Sequence, residues 1–176
     1  MKIVKARSQA AVVDAASLMR GLYEANKALY HDDLETIEEY YRGSWFFEVS
    51  PAIPVNYRPP QGDVLVAYLK GMPAGTVAIY RMGPDNCELK SMFVAEKFRG
   101  AGVARALCEK VIELAKDQGY RSIRLTTGIR QKPARRLYEG LGFKIVKPWD
   151  TDPPEGYDYF ELGIAQDNSD LDLGSV

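Results

Sequence analysis

Residues 97–106, KFRGAGVARA, place two close-set glycines directly before a run of helix-forming residues, and this glycine turn constrains the fold most. Gly100 and Gly102 tolerate backbone conformations that other residues avoid, so the chain can reverse tightly here and enter a helix at Val103. The first turn of a helix carries free backbone N–H groups at the positive end of the helix dipole. The sequence therefore predicts a strand-to-helix junction that can bind an anion such as a phosphate.

The segments on either side of the turn alternate between strand and helix patterns. KIVKAR is typical of a short strand, and Ser8 stands at the N-cap of a long amphipathic helix. A second helix is predicted near Asp32, followed by a proline-rich loop long enough to suggest a function. Further strands are predicted in DVLVAYLK, AGTVAIYRM, NCELKSMFV, RSIRLTT, FKIV and YDYFEL, and further helices in GVARALCEKVIELAKDQGY, ending at Gly119, and KPARRLYEGLGF.

The bulk composition limits the classes of function. The 176 residues, 46% of them hydrophobic, fit one domain over residues 1–164, and we expect an acidic, flexible tail over residues 165–176. Because 23 basic and 24 acidic residues nearly cancel, nucleic acid and anionic membranes are disfavoured as partners. The N-terminus has polar residues where a signal peptide is apolar, and no run is long enough to span a bilayer, so a cytoplasmic location is expected.

Metal and histidine chemistry are also disfavoured. Cys87 and Cys108 have no close-set Cys or His partners, and His31 is the only histidine in the chain. Structural zinc sites and His-based triads need such clusters. We therefore expect no metal cofactor.

The glycine turn departs from two well-known phosphate-binding motifs. A Walker loop needs Lys and Ser or Thr after its second glycine, and GAGVARA has neither. A dinucleotide fingerprint counted from Gly100 needs Gly or Ala where Arg105 stands. Arg99 and Arg105 flank the turn and add bidentate cationic donors, which favours an anion site over a turn without a ligand.

These motifs resemble the GNAT superfamily of N-acetyltransferases. RGAGVA matches that family's R/Q-x-x-G-x-G/A signature at Arg99, Gly102 and Ala104. QKPARRLYEGLGF is similar to the later family pattern N-x-x-A-x-x-L-Y-x-x-x-G-F, with Gln131 in place of the usual Asn, and ELKSMFV resembles the strand that ends in the pantetheine cleft. The positions that match the later pattern are Ala134, Leu137, Tyr138, Gly142 and Phe143. The resemblance is specific over residues 86–146.

The resemblance implies a fold and a cosubstrate. The fold is mixed α/β, with a splayed, mostly antiparallel sheet of about six to seven strands flanked by about four helices. The cosubstrate is acetyl-CoA, whose pyrophosphate the glycine turn would hold through backbone N–H groups, while the pantetheine arm adds to the sheet edge like a short strand. The residues implied in binding CoA are Met92, Phe93, Val94, Arg99, Gly100, Ala101, Gly102, Val103, Ala104, Arg105, Gln131 and Ala134.

The resemblance also implies two catalytic side chains. Tyr138 matches the family position whose hydroxyl lies near the CoA sulfur, so it is the candidate general acid, with a core tyrosine as the alternative. Glu88 lies six residues before Val94, where some members place the carboxylate that deprotonates the amine. Strand alternation predicts one face for Glu88, Lys90, Met92 and Val94, and a pair with Lys90 would weaken Glu88 as a base. The backbone N–H of Val94 or its neighbour is the expected oxyanion donor.

The cysteines do not suggest a covalent intermediate. Cys108 lies inside a predicted helix without a base nearby in sequence, and it is typical of a small packing residue. Cys87 adjoins Glu88 but must point to the opposite face of the strand. Direct transfer to the amine in a ternary complex is therefore expected.

The acceptor site is predicted in the two least regular stretches, which interleave aromatic residues with carboxylates. Such a cleft would favour a cationic amine through charge and cation–π contact. The residues concerned are Tyr30, Trp45, Phe46 and Trp149 beside Asp32, Asp33, Glu48, Asp150, Asp152 and Glu155. The acceptor is a primary amine of open identity: a small amine, an antibiotic, an amino acid or peptide, or a protein N-terminus or lysine.

Two other functions stay open on the sequence. The first is a module that binds or senses acyl-CoA without catalysis, and the second is a protein-interaction domain whose glycine turn binds nothing. A homodimer also stays open.

Overall fold

Seven strands form one mixed sheet in the computed structural model, which describes residues 1–164. The strands are β1 (Lys2–Lys5), β2 (Gly62–Leu69), β3 (Met72–Arg81), β4 (Asn86–Val94), β5 (Ser122–Gly128), β6 (Lys144–Val146) and β7 (Tyr157–Gly163). The α-helices are α1 (Gln9–Leu29), α2 (Leu34–Tyr41), α3 (Val103–Asp117) and α4 (Lys132–Gly140). Short 3-10 turns span Trp45–Phe47, Val55–Tyr57 and Glu96–Phe98. The strand order is β1-β2-β3-β4-β5-β7-β6, and every neighbouring pair is antiparallel except β4 and β5.

Helices α1 and α2 cover one face of the sheet. The Ser8 hydroxyl accepts a hydrogen bond from the backbone N–H of Ala11 at 3.3 Å, which confirms Ser8 as the N-cap of α1. Buried side chains of α1 pack with Ile37 and Tyr41 of α2 against Val64, Val66 and Ala78 of the sheet. The two helices therefore share one hydrophobic cluster with β2 and β3.

Helix α3 packs on the opposite face, where most of the large apolar side chains are buried. Two main-chain hydrogen bonds close the C-terminal end of α3. Gly119 N–H donates to Lys116 O at 2.9 Å, and Tyr120 N–H donates to Ala115 O at 3.0 Å. This pattern is a Schellman motif, and Gly119 supplies its left-handed residue with φ +77°. The predicted end of α3 at a glycine is confirmed.

One prediction concerns the start of β2. A Cβ on Gly62 would lie 2.4 Å from Ile79 O and 2.5 Å from Asn56 O, and these main-chain atoms cannot easily move. We expect Gly62→Ala to lower the free energy of unfolding by about 1–3 kcal/mol in urea titrations. Gly163→Ala is the matched control, since a Cβ there meets no atom within 4 Å. Equal losses in both variants would contradict the steric argument.

The predicted fold class is confirmed: a mixed α/β fold with a mostly antiparallel, splayed sheet and four α-helices over the described residues. The predicted acidic tail from Ala165 lies outside the described residues, so the domain boundary after residue 164 stays a prediction. Within the described part, no helix has the length and apolar character needed to cross a membrane.

Candidate active site

A cleft opens where β4 and β5 diverge. The two parallel strands are paired only from Asn86 to Glu88 and from Ser122 to Arg124, and beyond this point they separate. The space between them is closed on one side by α1 and α2 and on the other by the start of α4. The lining residues are Leu22, Asn26, Tyr30, Ile37, Tyr40, Tyr41, Leu89, Lys90, Ser91, Met92, Thr126, Thr127, Gly128, Gln131, Tyr138 and Tyr157.

A bulge in β4 corrects the prediction that Glu88, Lys90, Met92 and Val94 share a face. Ser91 has φ +53°, and the pairing with β3 shifts by one residue at this point. The extra residue reverses the alternation. Met92 and Val94 therefore pack with Leu89 in the cluster beneath α3, while Glu88 and Lys90 lie on the other face.

Past Glu88, the β4 edge that faces β5 has no strand partner among the described residues. Ala95 donates its N–H to Ala74 O at 2.9 Å on the β3 side. Since successive N–H groups of a strand point to opposite sides, the N–H of Val94 faces the cleft. Met92 and Val94 thus present main-chain groups to whatever occupies the space between β4 and β5. The main chain of Phe93, which pairs with Thr76, faces β3 instead, so the predicted role of Phe93 at this edge is wrong.

The glycine turn follows β4 and the 3-10 turn Glu96–Phe98, and it leads into α3. Gly100 and Gly102 have φ +77° and +78°, in the left-handed region where glycine is favoured. Gly102 is the N-cap residue and provides no side-chain cap. The first intrahelical bond is from Ala106 N–H to Gly102 O, so the N–H groups of Val103, Ala104 and Arg105 begin the helix unbonded within the described chain. Arg99 and Ala101 are exposed beside them, and Arg105 forms an exposed ion pair with Glu109 at 3.7 Å.

Glu88 is buried on the α1 side of the sheet with two polar partners. The Tyr80 hydroxyl donates a short hydrogen bond to its Oε2, and Lys90 Nζ lies 3.7 Å from its Oε1. Burial, followed by this hydrogen bond, raises the pKa of Tyr80. Burial alone would lower the pKa of Lys90, but Tyr40 and Glu88 outweigh it and raise that pKa. Glu88 therefore has one donor at each carboxylate oxygen, beside the cleft.

Tyr138 lies in α4 with its ring against Phe143 and Phe160 and its side chain lining the cleft. Burial raises the pKa of its hydroxyl above the usual range. The hydroxyl makes no hydrogen bond within residues 1–164. A protonated hydroxyl donor is thus available at the cleft. The ring is also packed in the hydrophobic core, as expected for the alternative of a core tyrosine.

The two cysteines are buried away from Glu88. Both belong to the cluster beneath α3, so Cys87 does point to the face opposite Glu88, as predicted. Burial raises the pKa of each thiol to about 12. Such thiols are poor nucleophiles at neutral pH because the thiolate is the reactive form.

A chain of hydrogen bonds crosses the cleft beside α4. Thr127 Oγ1 donates to Gln131 Oε1 at 2.9 Å, Gln131 Nε2 donates to Asn26 Oδ1 at 2.9 Å, and Asn26 Nδ2 donates to Tyr41 Oη at 2.8 Å. Gln131 therefore joins α4 to α1, and Ala134 packs one turn further along α4.

Several of these residues were not predicted from the sequence. Asn26, Tyr40 and Thr127 line the cleft, as does Tyr157. Two sequence features could have indicated some of them. These are the YY pair in α2 and the alternation of YDYFEL, which places Tyr157 and Tyr159 on one face of the strand.

The predicted acidic lining is wrong for this cleft. Of the ten residues proposed for the acceptor site, only Tyr30 lines it, and no Asp or Glu within the described part of the chain does. Asp32 is held by Arg130 in a two-point ion pair at 2.5 and 2.7 Å, and the hydrogen bond to Arg130 lowers its pKa to about 2. Phe46 is buried against α1 with Trp45 beside it. Contacts between residues far apart in sequence therefore pair Asp32 with a cation, and the fold keeps the other predicted carboxylates out of the cleft lining.

The other predicted acceptor residues lie outside this cleft. Trp149 packs edge-to-face on Tyr159 with ring centroids 4.6 Å apart, and Asp150 accepts a hydrogen bond from the Tyr159 hydroxyl at 2.6 Å. The remaining carboxylates are exposed: Asp33, Glu48, Asp152 and Glu155. In the described part of the chain, no three His, Cys, Asp or Glu side chains form a group that could hold a metal ion.

Known proteins are similar to this chain in sequence and in fold. An uncharacterized N-acetyltransferase of Schizosaccharomyces pombe is 34% identical over 113 residues, which are 63% of this chain and 69% of that protein. Human N-acetylaspartate synthetase is 36% identical over 115 residues, 65% of this chain. The matching region spans only 33% of the human protein, about a third of its length.

Solved structures agree on the fold. An N-acetyltransferase from Thermoplasma acidophilum, PaiA, in complex with coenzyme A superimposes with a TM-score of 0.69 over 93% of this chain and 100% of that one, at 16% identity. A GNAT-family acetyltransferase from Staphylococcus aureus gives 0.65 over 92% of this chain and 98% of that one, at 20% identity. The family described as the acetyltransferase (GNAT) family matches residues 22–143. The chain therefore belongs to the GNAT acetyltransferase family.

Proposed function

We propose that this chain transfers an acetyl group from acetyl-CoA directly to a primary amine while both substrates are bound. The observation that carries the proposal is the unpaired edge of β4, which runs into the uncapped start of α3. A strand-like ligand with a phosphate at one end suits this arrangement, because the edge offers main-chain groups and the helix start offers N–H donors.

The residues present fit CoA. The N–H groups from Arg99 to Ala104, with the Arg99 and Arg105 side chains, would hold its pyrophosphate. The main chain of Met92 and Val94, on the unpaired side of β4, would pair with its pantetheine arm. Gln131 is tied to Asn26 and Thr127, so its side chain would shape the wall of the cleft near Ala134. When bound, acetyl-CoA supplies the acetyl thioester.

Three groups of the chain would assist transfer. Glu88 would accept the proton of the amine, directly or through water. The Val94 N–H would stabilise the oxyanion, and Tyr138 would donate to the departing thiolate. The buried thiols of Cys87 and Cys108 support direct transfer over a cysteine intermediate.

The acceptor stays a primary amine of open identity. The name of the human relative, N-acetylaspartate synthetase, makes an amino acid one candidate. Small amines, peptides and protein N-termini or lysines are the others.

Calorimetric titration with CoA and acetyl-CoA, beside a thiol-release assay over a panel of primary amines, tests the proposal. We expect binding of both nucleotides and amine-dependent release of free CoA. Binding without release for any amine would contradict amine acetylation and favour a sensing module. Absence of binding would contradict the role of the glycine turn.

Tyr138→Phe is expected to lower kcat about 10- to 100-fold, the range for a hydrogen bond to a charged group. The affinity for CoA, measured by calorimetry, should stay unchanged, since the ring still packs on Phe143 and Phe160. Tyr120→Phe serves as a control for loss of a buried tyrosine hydroxyl away from the cleft. An unchanged kcat in Tyr138→Phe would reject Tyr138 as the proton donor.

A further inference from the structure

A row of polar side chains crosses the sheet at the point where the cleft opens. Pairing aligns Tyr80 of β3 with Glu88 of β4, Glu88 with Arg124 of β5, and Arg124 with Glu161 of β7. Neighbouring residues in such a row lie about 4.8 Å apart and point to the same face. Arg124 therefore lies next to the proposed base, and Thr126, two residues further along the same face, lines the cleft.

The guanidinium of Arg124 is held rigidly by two neighbours. Its Nε–H donates to Glu161 Oε2 at 2.8 Å, and its Cζ lies 5.4 Å from the centroid of the Trp149 ring. Trp149 is in turn packed against Tyr159. These contacts fix one edge and one face of the planar group.

The outer edge of the same guanidinium has no protein partner. Neither Nη1 nor Nη2 of Arg124 donates a hydrogen bond within residues 1–164, although the side chain is only 27% exposed. Four N–H donors thus remain in one plane on the residue that is paired with Glu88 in the sheet. A carboxylate is the group that matches two parallel donors on one guanidinium edge.

The charges around the cleft favour the same ligand. Among residues 1–164, Lys90 is the only charged residue in its lining, and no carboxylate of this part of the chain lines it. A carboxylate in the cleft would therefore meet the Lys90 cation and no acid of the lining. Arg124 lies outside the lining, in the adjoining row, and the acids that pair with these two cations are Glu88 and Glu161. An α-amino acid presents its ammonium and carboxylate groups from one carbon atom, so one small molecule can face both Glu88 and Arg124.

We propose that Arg124 binds the α-carboxylate of the acceptor, and that the acceptor is a free amino acid. This inference rests on the proposed amine acetylation. It narrows the acceptor to amines with an adjacent carboxylate, and it assigns the selection to the outer edge of one guanidinium beside the proposed base. Peptide and protein N-termini lack that carboxylate and are poor acceptors.

The test compares each acetylated amino acid with its own carboxamide. Thiol release from acetyl-CoA is measured with the standard L-amino acids, and the best acceptor is then assayed against its amide. We expect kcat/KM for the free acid to exceed that for the amide by about 10- to 100-fold, as for a charge-assisted hydrogen-bonded pair.

Variants of Arg124 locate the source of that preference. Arg124→Gln should bring the acid-to-amide ratio close to one, mainly through the KM of the free acid. Arg124→Lys keeps the charge without the two-donor edge and should give an intermediate ratio. The control is Arg121→Gln, directly before the same strand, since Arg121 is 74% exposed and pairs loosely with Asp85 at 3.7 Å. Thermal unfolding of each variant verifies that it folds. If Arg124→Gln does not fold, the acid-to-amide ratio of Arg124→Lys decides whether Arg124 is the source of the preference.

The outcomes separate this inference from the proposed function. Equal activity on acids and amides, or an acid preference that survives in Arg124→Gln and Arg124→Lys, overturns the role of Arg124. Acetylation of amines without a carboxylate, but not of amino acids, overturns the acceptor class and leaves amine acetylation standing. CoA binding without acetylation of any amine overturns both.

Discussion

Glu88→Gln is expected to lower kcat/KM for the amine about 10²- to 10⁴-fold at neutral pH, the range for loss of a general base. Glu88 is buried with one donor at each carboxylate oxygen, Tyr80 and Lys90. Gln has nearly the same shape and keeps an acceptor oxygen for Tyr80, but it cannot take the proton of an ammonium group. The expected loss of kcat/KM is therefore due to the missing proton acceptor and not to a change in the structure.

The pH dependence of this loss has a definite sign. With Glu88 present, the ammonium form of the acceptor can bind and give up its proton at the site. Without the base, only acceptor that is already neutral reacts, and that fraction falls about tenfold per pH unit below the pKa of the amine. The ratio of wild-type to variant kcat/KM should thus grow as pH falls and approach one above that pKa.

Steady-state thiol-release assays between mildly acidic and alkaline pH give this ratio. Glu113→Gln is the matched control, since Glu113 is an exposed α3 residue that pairs with Lys110 at the surface. A Glu88→Gln loss that is equal at every pH would mean that the base lies elsewhere, and that Glu88 acts only on the position of Lys90.

Gly102→Leu is expected to weaken CoA binding about 100-fold or more in calorimetric titration. The residue is the N-cap of α3 in the left-handed region, and the N–H groups that follow it have no protein partner in the described chain. A side chain here both strains the backbone and covers the surface that the phosphates would approach. Loss of two charge-assisted hydrogen bonds is enough for an effect of about this size.

The opposite end of the same helix provides the control. Gly119 has φ +77°, against +78° for Gly102, and a Cβ at either position meets no atom within 4 Å. Gly119→Leu therefore carries the same backbone strain without touching the glycine turn. Equal CoA affinity in the two variants would remove the pyrophosphate role from the turn, whereas a loss confined to Gly102→Leu supports it.

Local features of the fold were predictable from the sequence. The N-cap at Ser8, the end of α3 at Gly119 and the turn at Gly100 and Gly102 each depend on the conformational preferences of a few adjacent residues. The order of strands and helices followed from hydrophobic periodicity for the same reason. The family motifs at Arg99–Ala104 and Gln131–Phe143 also lie in single continuous segments.

The candidate site was predicted only in part. Alternation along β4 placed Met92 on the face of Glu88, but the bulge at Ser91 moves it to the other face. No pattern in one strand reveals a bulge, because it is defined by pairing with the neighbouring strand. The acidic acceptor cleft failed for a similar reason, since Asp32 is neutralised by Arg130 from a segment 98 residues away.

By itself, the sequence determined the succession of elements, the uncapped glycine-rich start of α3 and the family to which the chain belongs, because these depend on residues close together in the chain. Only the tertiary structure decided which charges face the cleft and which are neutralised. It aligned Tyr80, Glu88, Arg124 and Glu161 in one row, and it left the outer edge of Arg124 without a partner among the described residues. Those relations depend on the register between strands that lie far apart in sequence, which no local pattern encodes.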